Sequence, residues 1–541
     1  MEKTPNSFSN TFNFSWVAGA SLLTVLLFTA YFPVLQNGFI WDDDRYLTHN
    51  PYLIDFEGLK YLWLEVRSRP QYYPLVFTSF WIEFQLWGLN PQGYHIDNVL
   101  LHAINSFLLW RILLFLGVPT AWLISVIFAL HPVHVESVAW ITERKNVLSG
   151  FFYLLSLYTF LRLYISSPID LSNITSQRPQ IIYGLSLFFF VCALLSKTVT
   201  CTLPAVILLI FWWKQNRISS KIIQLMTPFF LIGFCFATLT SWMERVNVGA
   251  MGSEWNFSFW DRFLIAGRAL WFYIGKLIWP SPIIFTYPRW NIDDSVWWQY
   301  LYPATFLFLI YVLWCFRKSI GRGPLTAILF FSGSLFPALG FFNIYPMRFS
   351  FVADHFQYLA SIGIIILIVE GLYRIKGKGA IVSSILLIIF LGYSTWQQIP
   401  VYKNVSTLWR DTVQKNPNAW MAHYNLANIF ITEQQTDKAM IHYRETIRIK
   451  PDFALAPYNL GNALLSQEKT KEAISQYEAT IRIQPDYVDA YNNLGVALLT
   501  EGNTQEAIKE FQKALELKPD YSDARNNLQL ALTIKNEAIA Q

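Results

Sequence analysis

The sequence predicts an all-α protein: a multi-pass bundle of about 11 membrane helices, then a solenoid of paired helices. Three observations predict it. The 541-residue chain is 54% hydrophobic and only 14% charged, whereas soluble proteins carry about 25% charged residues. The composition is also split. From Lys403 onward there are 15 Lys/Arg against 17 Asp/Glu, while the first 402 residues hold 26 against 19 and 20 of the 22 tryptophans. Finally, prolines recur at Pro417, Pro451, Pro485 and Pro519 with a 34-residue period. Residues 1–400 therefore read as a membrane domain and 401–541 as a soluble one.

A spanning helix needs roughly 20 mostly apolar residues. Stretches 16–35, 96–116, 120–138, 147–164, 180–195, 199–213, 222–242, 300–316, 324–342, 356–373 and 379–399 qualify. The run 16–35 is longer than a signal-peptide core and more spans follow, so it reads as an uncleaved first span. Residues 263–279 carry Arg262, Arg268 and Lys276 at helical spacing and read as an amphipathic interfacial helix.

Short cytoplasmic loops collect Lys and Arg. With 11 spans, Lys214/Arg217/Lys221, Arg317/Lys318/Arg322 and Arg374/Lys376/Lys378 share a side with the N-terminus, as do the weaker sites at Arg111 and Arg162. A twelfth span would place two of these clusters on opposite faces. The loop at Asp42–Asp44, the segment Glu136–Asn146, residues 243–299, the loop 343–355 and the C-terminal domain then fall on the non-cytoplasmic side.

In phase with the prolines come Leu426/Leu460/Leu494, Ala427/Gly461/Gly495, Ala439/Ala473/Ala507 and Tyr443/Tyr477/Phe511. Period and residue classes match the tetratricopeptide repeat. Small residues let two antiparallel helices approach, the aromatic fills the gap to the next repeat, and proline ends the second helix. Repeats run 418–451, 452–485 and 486–519, with Trp409 in a preceding half-repeat and a capping helix at 520–538. Such solenoids present a concave peptide-binding groove; a spacer or dimerisation role is the alternative.

The aspartate run Asp42-Asp43-Asp44 comes directly after the first span. A carboxylate there serves as a general base when it lies within reach of an acceptor hydroxyl. Helix capping, or pairing with Arg45, Arg67 or Arg69, is the structural reading, and hard oxygen ligands for a divalent metal are a third. The segment His131-Pro132-Val133-His134-Val135-Glu136 lacks metal-protease spacing. Beyond it, Arg144 and Lys145 have the chemistry to meet phosphate. Lys197, between two apolar runs, either snorkels or faces a cavity. Arg348 and His355 flank another charged entry to a span and either meet an anionic head group or cap the topology. Tryptophans in 255–260 and 290–298 fit an interfacial aromatic belt, or sugar stacking. The four cysteines lie in apolar segments without disulfide or zinc spacing.

A phosphate-binding glycine loop, a dinucleotide turn and a serine-hydrolase elbow are all missing from the sequence. An ATP-driven pump and a serine hydrolase are therefore excluded. Charged residues cluster at loops rather than mid-span, which argues against a transporter, and basic residues track the membrane topology rather than nucleic acid.

Phe39-x-x-Asp42-Asp43 after the first span resembles the acidic first-loop motif of the GT-C glycosyltransferases. Tyr94-His95-x-x-Asn98-x-Leu100-Leu101-His102-Ala103, His131-Pro132-x-His134-x-Glu136-x-Val138, Leu195-Ser196-Lys197 and Tyr358-Leu359-x-Ser361 extend the likeness. Together they resemble the transmembrane-and-tetratricopeptide-repeat proteins, which are similar to protein O-mannosyltransferases. The resemblance implies a catalytic first loop within 36–95 and a polyprenyl-phosphate-linked sugar as donor. It also implies inverting transfer to a hydroxyl, expected to be a Ser/Thr of a translocated protein held by the repeats. Asp42 and Asp43 fall on the acidic pair, so one is the implied base; Asp44, Glu136 and His355 are accessory candidates. Arg144, Lys197 and Arg348 are the donor-phosphate candidates by their chemistry. Asp44 stands where relatives carry an aliphatic residue, and Thr198 where they often carry glutamate. The polyprenyl-phosphate sugar is the implied donor substrate rather than a cofactor, and a divalent metal stays open. A non-catalytic membrane scaffold that recruits partners through the repeats is the alternative. Lean loops and the lack of a retention signal point to a prokaryotic plasma membrane.

Overall fold

Prolines and capping side chains set where the helices begin. The structure, a computed structural model, describes residues 16–66, 71–164, 177–215, 218–374 and 378–540. Arg67, Arg69, Arg217 and Lys376 lie outside the described residues. Contacts divide the chain into two compact units, Met1–Thr407 and Leu408–Gln541. Every regular element among the described residues is helical.

The first unit runs α1 (Trp16–Tyr31), α2 (Phe56–Leu64), α3 (Pro74–Trp87), α4 (Pro91–Phe115), α5 (Ala121–Leu130), α6 (Val135–Ala139), α7 (Arg144–Tyr164) and α8 (Gln177–Ser196). It continues with α9 (Leu203–Gln215), α10 (Ser220–Val246), α11 (Phe259–Ile278), α12 (Leu301–Phe316), α13 (Gly323–Leu335), α14 (Ser361–Tyr373) and α15 (Lys378–Gln398). Both α3 and α4 start with proline, whose fixed φ and missing N–H suit a first turn. The Asn90 side chain caps α4 by accepting from Gln92 N–H.

Eight helices among the described residues are long and apolar enough to cross a membrane, and the protein is an integral membrane protein. The pair α5–α6 makes a ninth if its 54° bend is one span. Pro132 causes the bend, because its ring denies the helix an N–H and clashes with the preceding turn. The eleven expected spans are reached only by adding Gly323–Ala338 and Ser361–Tyr373, which are apolar but shorter. α11 is amphipathic, as expected. Leu264, Ile265, Ala269 and Tyr273 are buried along one face, and a Ser258–Asp261 capping box starts the helix.

In the second unit, α16 (Val405–Lys415) precedes three helix pairs: α17 (Trp420–Thr432) with α18 (Thr436–Ile449), α19 (Leu455–Leu465) with α20 (Thr470–Ile483), and α21 (Val488–Thr500) with α22 (Thr504–Leu517). The closing helix α23 spans Ser522–Ala540. The small residue of each pair packs under the aromatic of its second helix. A Cβ added at Gly495 would sit 2.5 Å from the Phe511 ring. Polar staples recur at the same register: within a repeat Tyr443 Oη donates to Asn428 and Tyr477 Oη to Asn462, and between repeats Asn459 donates to Tyr424 Oη and Asn493 to Tyr458 Oη.

Candidate functional site

The aspartate loop is a strained turn. Trp41 holds φ 45°, left-handed backbone that a bulky residue adopts at a cost of about 1–3 kcal/mol. Hydrogen bonds to the next carboxylate but one sustain the strain. Asp43 is fully buried. Its Oδ2 accepts from Ile40 N–H at 2.8 Å, and its Oδ1 accepts from Thr142 N–H at 2.9 Å and from the Thr142 hydroxyl. The loop is thereby pinned to the segment before α7.

This divides the three carboxylates. Asp43 is consumed by hydrogen bonds; burial pushes its carboxyl up to about 7, against the lowering effect of Thr142 and Ile40. Asp42 is partly exposed, and no side-chain hydrogen bond to it is found among the described residues. Burial raises its carboxyl above the ordinary aspartate value, while Lys145 and then Arg45 pull it back. Asp44 is exposed and accepts from Arg45 N–H at 2.6 Å.

Beside Asp42 lies a buried charge cluster built around Glu143, which is 1% exposed. Lys145 Nζ approaches Glu143 Oε1 at 2.8 Å, and Lys197 Nζ approaches Oε2 at 3.5 Å. Lys197 also donates to Asn146 Oδ1 at 2.6 Å, and Asn146 donates back to Glu143. Lys145 lies against the Tyr46 and Trp140 rings. The break between α8 and α9 thus turns Lys197 inward to a carboxylate rather than outward to snorkel. Two cations over one carboxylate leave positive charge beside Asp42.

Next to this cluster, Glu136 accepts from His355 twice, from its N–H at 3.0 Å and its Nδ1 at 2.9 Å. Asp354 accepts from Tyr287 Oη at 2.7 Å and from Gln357, and burial followed by Glu136 pushes its carboxyl up to about 7. Glu244 accepts from Gln71 Nε2 at 2.6 Å and from Tyr345 N–H at 3.0 Å.

Two of the candidate phosphate residues point elsewhere. Arg144 is 2% exposed and engages both Glu83 oxygens at 2.9 and 2.7 Å, the Tyr94 carbonyl at 3.0 Å and Asn98 Oδ1. Its donors are used inside the fold, which corrects the expectation that it meets the donor. Successive residues on a helix point about 100° apart, so Lys145, not Arg144, turns to the Asp42 side. Arg348 pairs with Glu254 at 2.9 Å.

The residues that carried the family resemblance prove to be partners of one another. His102 contacts Tyr358 Oη at 2.8 Å, His134 contacts Ser361 Oγ at 3.0 Å, and Asn98 holds the carbonyls of Val138, Trp140 and Ile141. His131 and His134 also engage the Leu277 and Phe128 carbonyls. Among the described residues no three His, Cys, Asp or Glu side chains converge as metal ligands. The partnerships of Glu143, Glu83 and Glu244 escaped the sequence reading. For Glu83 and Glu244 the available signal was a carboxylate set into the apolar helices α3 and α10.

Fold and site together define a class: a multi-pass helical membrane protein that carries tetratricopeptide repeats. Family models described as tetratricopeptide repeat match residues 458–522 and 422–453. Within that class the chain is TMTC-like. It is 26% identical over 488 residues to protein O-mannosyl-transferase TMTC1 of Homo sapiens, covering 79% of this chain and 54% of that protein. Against protein O-mannosyl-transferase F38B6.6 of Caenorhabditis elegans it is 23% identical over 443 residues, covering 78% and 61%. Over a shorter stretch of 170 residues it is 32% identical to protein O-mannosyl-transferase Tmtc1 of Drosophila melanogaster, covering 29% and 19%. The chain spans a little over half the length of the human and worm relatives. Among solved structures it resembles the first TPR of Spaghetti (RPAP3) bound to an HSP90 peptide, at 23% identity, a TM-score of 0.21, and 23% and 94% coverage.

Proposed function

We propose that this protein is a membrane glycosyltransferase that moves a sugar from a polyprenyl-phosphate-linked donor to a protein Ser/Thr hydroxyl on the non-cytoplasmic face. The observation that carries the reading is the Asp42 carboxylate. It is partly exposed, without a side-chain hydrogen bond among the described residues, and flanked by Lys145 and Glu143. A carboxylate raised above its ordinary range is the better general base near neutral pH.

In the reaction, Asp42 takes the proton of the acceptor hydroxyl as its oxygen attacks the anomeric carbon. The bond from that carbon to the phosphate oxygen breaks, and polyprenyl phosphate leaves. Lys197 and Lys145 stabilise the charge that develops on the phosphate. Asp43 is a positioning residue that holds the loop on Thr142. The repeats present the acceptor polypeptide. The names of the relatives and the repeat architecture support this assignment.

Purified full-length chain, supplied with a polyprenyl-phosphate mannose and a Ser/Thr-rich acceptor, tests it. Asp42→Asn is expected to abolish transfer at unchanged melting temperature, and Lys197→Met to raise the donor KM more than it lowers kcat. Normal glycan occupancy on exported proteins in Asp42→Asn and Asp43→Asn strains, with the phenotype lost on deleting 418–541, would favour a recruiting scaffold instead.

A further inference from the structure

A second chamber lies far from the aspartates. Between α4, α7, α9, α13 and α14 is a cavity of about 310 Å³, at the lower end of ligand-pocket sizes. Leu109, Leu113, Leu157, Ile210, Ile366 and Leu367 give it apolar walls. Its lining reaches the end of α4, at Leu116 and Gly117. Asn98, which braces the loop before α7, lies 18 residues earlier on the chain, or about 27 Å along α4 at 1.5 Å per residue. The cavity is therefore at the opposite end of the bundle from Asp42.

Its mouth is cationic. Arg374 lines it, and the guanidinium makes no hydrogen bond or ion pair among the described residues. Lys214 donates to the carbonyl of Leu116, and Arg322 to that of Trp212 at 2.9 Å, so two more cations edge the opening. The carboxylate at the mouth, Glu370, is tied to Thr120 Oγ1 at 2.5 Å. Thr326 contributes to the wall one turn inside, with its hydroxyl turned away from the open space and buried.

We infer that this cavity binds one chain of an anionic phospholipid, with its phosphate on Arg374. Apolar walls below a basic rim match the order of parts in such a lipid, chain below head group. A free phosphate would leave the walls unfilled, and a neutral lipid would leave the rim uncompensated. The site is separate from sugar transfer and stands whether or not Asp42 is a base.

Native mass spectrometry of the full chain, extracted from vesicles of equal phosphatidylglycerol and phosphatidylcholine, tests this. Wild type is expected to retain one phosphatidylglycerol in preference to phosphatidylcholine. Arg374→Gln, an exposed change that leaves packing intact, is expected to weaken retention about tenfold, the value of one charge-assisted contact. Ile366→Trp fills the cavity and is expected to retain neither lipid, with the melting temperature reporting folding. Equal retention of the two lipids by wild type, or unchanged retention in Arg374→Gln, would overturn the inference even if Ile366→Trp failed to fold.

Discussion

Asp43 and Thr142, 99 residues apart in sequence, are joined by two hydrogen bonds to one carboxylate oxygen, from the Thr142 N–H and from its hydroxyl. That link fixes the first loop to the segment that opens α7. It also leaves Asp42, one residue earlier, as the carboxylate that faces Lys145. Adjacent aspartates thus have separate tasks because a turn points neighbouring side chains in different directions.

The two aspartates are expected to respond differently to substitution. Asp43→Ala removes three hydrogen bonds and strands buried donors. It should destabilise the chain by about 1–3 kcal/mol and reduce transfer with it. Asp42→Asn should keep the melting temperature and lose turnover by at least about a hundredfold, as for removal of a general base. Paired thermal-shift and transfer assays separate the two; a collapse of stability in Asp42→Asn would contradict the division.

The sign of the Asp42 shift sets the pH profile. A base must be ionised, and burial raises the Asp42 carboxyl above its ordinary value of 3.8. Transfer should therefore fall as pH drops, with its midpoint above that value. Lys145 is the largest influence pulling the carboxyl back down, so Lys145→Gln should move the acid limb to higher pH. A limb that stays in place in that variant would separate Asp42 from the titration.

Arg144 and Glu83 form a bidentate pair, with side chains 2% and 3% exposed. Breaking one side leaves an uncompensated buried charge, which costs about 3–5 kcal/mol. Glu83→Leu and Arg144→Met should each destabilise by that order, and the double variant Glu83→Leu/Arg144→Met should recover most of it. Chemical denaturation in detergent measures the cycle. If Arg144→Met instead kept its stability and lost only donor affinity, Arg144 would be a donor contact after all.

Each repeat turns between its helices on a left-handed residue at the same register: Gln434 at φ 60°, Glu468 at φ 59° and Gly502 at φ 84°. Only the third is glycine, which adopts this backbone without strain. Gln434→Gly and Glu468→Gly should each stabilise their repeat by about 0.5–1 kcal/mol, and Gly502→Gln should cost about 1–2 kcal/mol. Hydrogen exchange over the turn peptides of the full chain reads both signs.

The helical character and the repeat register were legible in the sequence because they rest on local, periodic facts. Runs of apolar residues and a 34-residue proline period need no knowledge of distant neighbours. The span count was less legible. Composition does not say how far α13 and α14 extend as helices, and Pro132 bends a run that reads as continuous.

The site divides along the same line. An acidic loop after the first span, with basic residues in later loops, was visible as chemistry at sequence positions. Partnership was not. Arg144 and Lys145 are neighbours with equal claims to a phosphate, and the helix sends one to Glu83 and the other toward Asp42. Glu143 gave no signal of its own, since a lone glutamate in a loop reads as solvated until Lys145 and Lys197 close on it. By itself the chain determined which segments are helical, where the repeats fall and which side chains carry charge, because local composition dictates all three. Only the tertiary structure decided which carboxylate stays open and which cations stay beside it, because burial and pairing depend on residues that meet across 50 or more positions.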